Sequence, residues 1–227
     1  MNMTTCSIPH VRQAPALDGA WDSPLWRAAT EIDIAHFHSQ SSEHHPRVRA
    51  RLLWTDDALH VLFDVQDRYV KAACTRYGQQ VCKDSCVEVF LQPKPDAGYF
   101  NFEVNCGGTM LLWYVTDPAP APKGLRGAVE VPIELAGAVG IYHDLPTQIP
   151  VELSEPVDWR LQLAIPISLL EHYTGRLEPL GGSRWRGNFF KCADHTSHPH
   201  WASWNPIGEA LNFHAPEFFG ELRFGLP

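Results

Sequence analysis

A chain of 227 residues with 44% hydrophobic and 19% charged residues has enough apolar side chain for a sizeable core and falls among soluble globular proteins. Its formal net charge of −8, with no run of Lys or Arg, argues against nucleic acid or an anionic membrane as partner. A neutral ligand such as a sugar is untouched by that exclusion, and no protein partner is named by the sequence.

In chain order, the amino terminus shows no basic start followed by an apolar run, and no later segment reaches the length of a membrane span. A cytoplasmic protein is the default expectation, with an extracellular setting left open. Six cysteines (Cys6, Cys74, Cys82, Cys86, Cys106 and Cys192) are too sparse for a disulfide scaffold and read as free thiols.

Residues 22–29 predict one short helix, with Ser23 as cap and Pro24 at the first helical position. Its neighbours Trp21 and Trp26 are expected to plug the end of a core. A strand over 32–38 and a polar loop over 39–46 follow. Val48, Ala50, Leu52 and Trp54 then alternate with Arg49, Arg51 and Leu53, so a strand runs to the turn at 55–58 and returns over 59–65. Residues 66–82 read as loop.

Residues 83–105 predict two strands joined by a turn rich in Pro, Asp and Gly. Val87, Val89 and Leu91 share one face of the first arm, as Phe100, Phe102 and Val104 do in the second. The opposite faces carry Glu88 and Glu103 in mid-strand, with Asn101 and Asn105 close by. A merely solvated face more often carries Thr, Lys or Ser, so this hairpin is the first place to seek a ligand.

Further strands are predicted over 109–115, 128–133, 139–142, 159–165, 184–192 and 221–224, with loop over 117–127 and a short helix at 166–173. Short strands dominate and no helix is long enough for a parallel crossover. The expectation is an all-β sandwich of mainly antiparallel strands, one domain spanning 1–227.

Several residues could carry chemistry. Glu88 and Glu103 could act as acid and base, accept hydrogen bonds from sugar hydroxyls, bind a cation, or pair with Arg186, Lys191 or Arg49. Trp204 could stack on a sugar face or cap the sandwich, whereas Trp201 reads as a cap. Arg186 and Asn188 share a strand face and could add planar hydrogen bonds, or serve as structural partners. For metals, Cys192-x-x-His195-x-x-His198-x-His200 gathers soft ligands and Cys82-x-x-x-Cys86 lies elsewhere; neither is a complete zinc spacing.

Leu17-Asp-Gly with Trp21 and Trp26, Leu53-Trp-Thr-Asp-Asp-Ala-Leu59, Asp84-Ser-Cys-Val-Glu-Val-Phe-Leu91, Phe102-Glu-Val-Asn105, Ser203-Trp-Asn-Pro206 and Phe219-Gly-Glu-Leu222 occur in a telling order. Together they resemble family 9 carbohydrate-binding modules over nearly the whole chain, in a divergent stand-alone branch. The resemblance implies an immunoglobulin-like, DOMON-like sandwich that binds sugars between two aromatic rings, with structural calcium and a link to carbohydrate catabolism. It matches Glu88 to a hydroxyl-binding glutamate and Trp204 to one ring. The second ring's place holds Val81-Cys82-Lys83, and Glu103 stands where a basic residue is expected.

Trp113, Tyr99 and Trp54 are candidates for the second ring. Oxygen donors for calcium are available at Asp56 and Asp57, in a turn that favours Asp anyway. Haem, used by related DOMON domains, is not expected, since Met110 is the sole methionine in a strand.

The reading is non-catalytic carbohydrate binding, with Trp204 stacking and Glu88 hydrogen-bonding. Glu103, Asn105, Arg186 and Asn188 would line the same surface, with Trp113 a candidate facing ring. The alternatives are a glycoside-active enzyme or its accessory subunit using Glu88 and Glu103, or a sandwich that has lost sugar binding.

Overall fold

Strands with one apolar face must bury it, and the chain does so with two sheets packed against each other. The computed structural model describes residues 4–121, 124–177 and 179–227. In spatial order the larger sheet runs Thr5–Ile8, Gly220–Phe224, Arg184–Cys192, Cys86–Gln92, Tyr99–Asn105, Met110–Val115 and Ala128–Glu130. Trp201–Ser203 adds to one side of Arg184–Cys192, and His36–Phe37 adds to Trp201–Ser203.

The second sheet runs Gly140–His143, Val157–Pro166, Ala58–Asp67, Arg47–Trp54 and Thr30–Asp33. Pairing in both sheets is antiparallel, except where Thr5–Ile8 lies parallel to Gly220–Phe224. The all-β sandwich is thus the observed architecture. No helix among the described residues is long and apolar enough to cross a membrane.

The core lies between the sheets. Val87, Val89, Leu91, Phe100, Phe102 and Val104 meet Leu52, Val61, Phe63, Leu161, Leu163 and Ile165 in one apolar cluster. The alternation visible in the hairpin therefore assigns its faces correctly.

Other expectations shift. The strand expected over 32–38 divides: Thr30–Asp33 pairs in the second sheet and His36–Phe37 in the first, with the crossing between them. The expected loop at 66–82 contains Val70–Ala72, which pairs with Ile149–Leu153. Ser23 caps the helix Pro24–Arg27. Trp21 and Trp26 do not plug a core end, because Leu53 and Leu62 on the outer face of the second sheet need cover, and the two rings supply it. The Arg51 guanidinium lies 4.1 Å above Trp21. Within the expected loop at 117–127, Pro120–Ala121 pairs with Gly124–Leu125, while residues 122 and 123 lie outside the described residues.

One charged cluster sits inside the sandwich. Lys191 points inward opposite Val87, fully buried, with its Nζ 3.4 Å from Asp67 and 2.7 Å from His200 Nε2. His44 Nε2 lies 2.8 Å from the same aspartate. Burial pushes the Asp67 carboxyl up, but the Lys191 charge and the His44 hydrogen bond outweigh it and hold it well below the usual range. Removing one partner would leave an uncompensated buried charge, so this cluster ties the two sheets in one register.

His60, 3% exposed on the outer side of the second sheet, has the Thr55 hydroxyl at 3.4 Å and, among the described residues, no partner for Nδ1. Burial lowers its pKa from 6.5 to about 4. The unfolded chain therefore takes up a proton at His60 at a pH where the folded chain does not, and acidification through this window favours unfolding. Urea titrations at about pH 7 and about pH 5 should show wild type losing up to ~2 kcal/mol relative to His60→Leu.

Candidate functional site

Glu88 and Glu103 are direct cross-strand partners. Cys86 and Phe90 flank Glu88 on the same face, and Phe190 and Cys192 lie opposite on the neighbouring strand. In a plain two-layer sandwich this outer face would meet water. Here the segment after Trp204 folds back over it. Ile207, Leu211, Phe213 and Phe219 pack on Phe90, Tyr99 and Phe190, and Phe213 stacks on Phe190 at 4.1 Å. Under this cover Glu88 is 2% exposed and Glu103 7%.

The cover does not close completely. It leaves a cavity of about 320 Å³ whose floor includes Glu88, Glu103 and Cys192. Cys82, Asp194 and Trp201 form part of the wall, and Leu211, Asn212, Phe213 and His214 complete it. Trp201 is fixed by its Nε1, which donates to Asp194 Oδ1 at 2.7 Å. Asn101 Nδ2 donates to Glu103 Oε1 at 2.8 Å, and the Cys192 thiol donates to Glu88 Oε1 at 3.1 Å. His214 Nδ1 lies 2.8 Å from the Tyr99 hydroxyl.

Burial and then the nearby Asp194 charge push the Glu103 carboxyl up to about 8. Burial and then Glu103 push Glu88 well above its ordinary value. Two desolvated carboxylates facing each other cannot both ionise, so the pair keeps a proton at neutral pH. Such a pair can both donate to and accept from hydroxyl groups.

Of the residues expected at a site, the structure brings Glu88 and Glu103 together in the cavity. None of the proposed cationic partners reaches Glu88 or Glu103. Lys191 projects from the opposite face of its strand, Arg49 pairs with Glu31 and Asp64, and Arg186 donates to the Phe219 and Glu217 carbonyls. Arg186 thus holds the cover rather than a ligand.

Asn105 is also not a ligand group. Its amide donates to the Cys74 carbonyl and Asp84, and its oxygen accepts from the Gly107 and Thr109 backbone. Asn188 exchanges two 2.9 Å hydrogen bonds with the Asn205 backbone. Trp113 lies beside the cavity, half-buried between the apolar clusters, with its backbone N–H on Asn101 Oδ1. Tyr99 and Trp54 are buried.

Trp204 is the main correction. It is 5% exposed, belongs to the core, and meets Phe189 edge-on at 5.7 Å. The Trp204 backbone N–H bonds to the Phe189 carbonyl, and the ring lies over Gly220, where a Cβ would stand 2.5 Å from it. Trp201, expected as a cap, is the tryptophan that faces the cavity. Sequence reasoning also missed Asp194 and the Leu211–His214 stretch, and read Cys82 as a metal candidate apart from Cys192 rather than as part of the same wall. The two apolar residues of that stretch, in a turn-rich tail, were the available signal.

The metal expectations rearrange. Cys192 faces the cavity, while His200 sits behind the sheet with Lys191, so the Cys192–His200 run does not converge. Cys82 and Cys86 do come to Cys192, and the ligand atoms of Cys86, Glu88 and Cys192 lie within 4.8 Å of one another. Two sulfurs make this donor set unsuited to calcium, which takes oxygen ligands. In the turn at 55–58, Asp56 is exposed and faces His10 at 3.1 Å.

Trp204→Ala should cost about 3–5 kcal/mol of stability, as removal of a buried aromatic does, and a urea denaturation curve measures it directly.

A model of carbohydrate-binding family 9 matches residues 27–224. Among solved structures, a candidate carbohydrate-binding protein from Bacteroides uniformis is 27% identical over 98% of this chain and 100% of its own, with a TM-score of 0.84. A family 9 module from Caldicellulosiruptor kristjanssonii in complex with cellotriose is 16% identical over 99% of this chain and 95% of its own, with a TM-score of 0.66. The same organism's module in complex with glucose is 15% identical over 97% of this chain and 96% of its own, with a TM-score of 0.64. At that identity the likeness concerns the fold. No curated protein matches the chain. Since the family match takes in the whole second sheet, all of the larger one but its edge strand Thr5–Ile8, and the segment that covers it, the chain belongs to carbohydrate-binding family 9.

Proposed function

We propose that this chain is a non-catalytic carbohydrate-binding domain whose ligand enters the cavity over Glu88 and Glu103. One observation carries the reading: in a member of carbohydrate-binding family 9, a buried carboxyl pair and a tryptophan converge on one cavity. Each component has a physical role. The carboxyl pair, with a proton to share, can accept from one sugar hydroxyl and donate to another. Trp201 and Phe213 offer apolar faces to the C–H side of a sugar ring. A volume of about 320 Å³ is at the small end of ligand pockets, which favours a single ring or a chain end over the middle of a polymer.

The reading in which the sandwich has lost its ligand anticipates no open slot at Trp204, which agrees with its burial, and a salt-bridged Glu88. Among the described residues Glu88 has no such bridge, and its partner is the Cys192 thiol. The glycoside-active reading uses the same two carboxyls and is separated by experiment.

Calorimetric titration with glucose, cello-oligosaccharides and a wider panel of mono- and oligosaccharides tests the proposal. At least one sugar should bind, and Trp201→Ala and Glu88→Gln should each weaken it by about tenfold or more, roughly 1.4 kcal/mol. No binding across the panel overturns the proposal. Release of reducing sugar that disappears in Glu88→Gln would replace it with hydrolysis.

A further inference from the structure

Glu88 and Cys192 of the cavity floor have a third neighbour, Cys86, packed beside Cys192 just behind the lining. Cys86 and Cys192 are directly opposed on adjacent antiparallel strands, and Glu88 follows Cys86 by two residues on the same face. All three are at most 2% exposed. The Glu88 carboxylate oxygen lies 3.1 Å from Cys192 Sγ, and the three ligand atoms fall within 4.8 Å of one another. Around a tetrahedral zinc ion, with Zn–S about 2.3 Å and Zn–O about 2.0–2.2 Å, neighbouring ligand atoms stand about 3.3–3.8 Å apart. The three side chains need only small rotations to meet that spacing.

Charge points the same way. A buried carboxyl group ordinarily faces a cation or strong donors, whereas the partner of Glu88 is a thiol, a weak donor. The nearest buried cation on these strands, Lys191, projects from the other face and is engaged by Asp67 and His200. Cys82 and Asp194 line the same cavity and stand ready beside the trio.

We propose that Cys86, Cys192 and Glu88 form a binding site for a thiophilic divalent cation, zinc foremost, at the floor of the cavity. Two thiolates and a carboxylate supply three ligands, and the fourth position faces the cavity, open to Cys82 or water. As the metal binds, the two thiols lose their protons to solvent, Glu88 binds as the carboxylate with the shared proton left on Glu103, and the dication offsets two of the three negative charges that burial opposes. This inference does not require a sugar. It adds a function to the cavity rather than a detail of carbohydrate recognition.

The test uses the full chain, reduced and freed of metal with a chelator that is then removed, and adds metal alone. With Co²⁺ as probe, a thiolate-to-cobalt charge-transfer band and tetrahedral ligand-field bands should appear and saturate at one equivalent, and Zn²⁺ should abolish them by displacement. Cys86→Ser and Cys192→Ser should lose the band, and Glu88→Gln should weaken Zn²⁺ binding by about tenfold or more. Cys6→Ser, in the core away from the cavity, should retain it, and circular dichroism of every variant separates lost ligands from lost fold. Absence of the band in folded, reduced wild type overturns the proposal, as does a band that survives in folded Cys86→Ser and Cys192→Ser. Failure of every sugar to bind would sink the carbohydrate reading and leave this readout intact.

Discussion

Two hydrogen bonds between the Asn188 side chain and the Asn205 backbone hold the carboxy-terminal segment over the larger sheet. Asn205 continues the attachment through its own side chain, which accepts from the Thr4 N–H and donates to the Phe218 carbonyl. Without that cover, Phe90, Tyr99 and Phe190 would be an exposed aromatic face, and Glu88 and Glu103 would be ordinary solvated carboxylates. With it, a face that a two-layer sandwich would give to water becomes a third apolar layer with a polar cavity inside. The raised carboxyl pKa values, the confined volume and the burial of the paired thiols all depend on this one enclosure.

The strand Arg184–Cys192 is where the opposing electrical demands meet. Phe190 and Cys192 look outward into the covered face, and Lys191 between them looks inward to Asp67. The backbone layer separates a cation on one side from acidic groups on the other. Alternation along a strand makes that separation obligatory, since Lys191 cannot turn to the outer face without shifting the whole register. The acidic cavity thus keeps its unmatched character although a lysine is one residue from Cys192.

Much of the scaffold was legible because period-two alternation is a local signal. The faces of Val48–Trp54 and of the hairpin around Glu88 follow from it, and so does the placing of Glu88 and Glu103 on the face away from the core; that the two stand directly opposite is set by the length of the turn and was not read. What was not legible depended on distant segments. Trp201 and Trp204 are three apart in the same loop, and nothing local says which turns inward. The decision rests on Gly220, which leaves room for the Trp204 ring, and on Asp194, which takes the Trp201 N–H. Asn105, Asn188 and Arg186 looked like ligand groups because free amides and guanidiniums on a strand face look alike until their partners are known. Each is engaged inside the protein: Asn188 and Arg186 by backbone groups remote in sequence, Asn105 by the Cys74 carbonyl, Asp84 and the Gly107 and Thr109 backbone. The thiol cluster was hidden for the same reason, since Cys86 and Cys192 meet only across a strand pair.

Gly220 and Trp204 also bear on how ligand preference is written in such chains. Ser203-Trp-Asn-Pro206 and Phe219-Gly-Glu-Leu222 read as signature phrases, yet their Trp and Gly are two halves of one packing contact in the core. Asn205 fastens the cover, and Asp84 ties the Ala73 and Cys74 backbone to Asn105. A pattern assembled from these phrases would gather sandwiches of this shape whatever they hold. Glu88 and Glu103 stand in two further such phrases, but the rest of the cavity lining lies outside them, at positions 82, 192, 194, 201 and 211–214, so chains sharing every phrase can still differ around the same carboxyl pair.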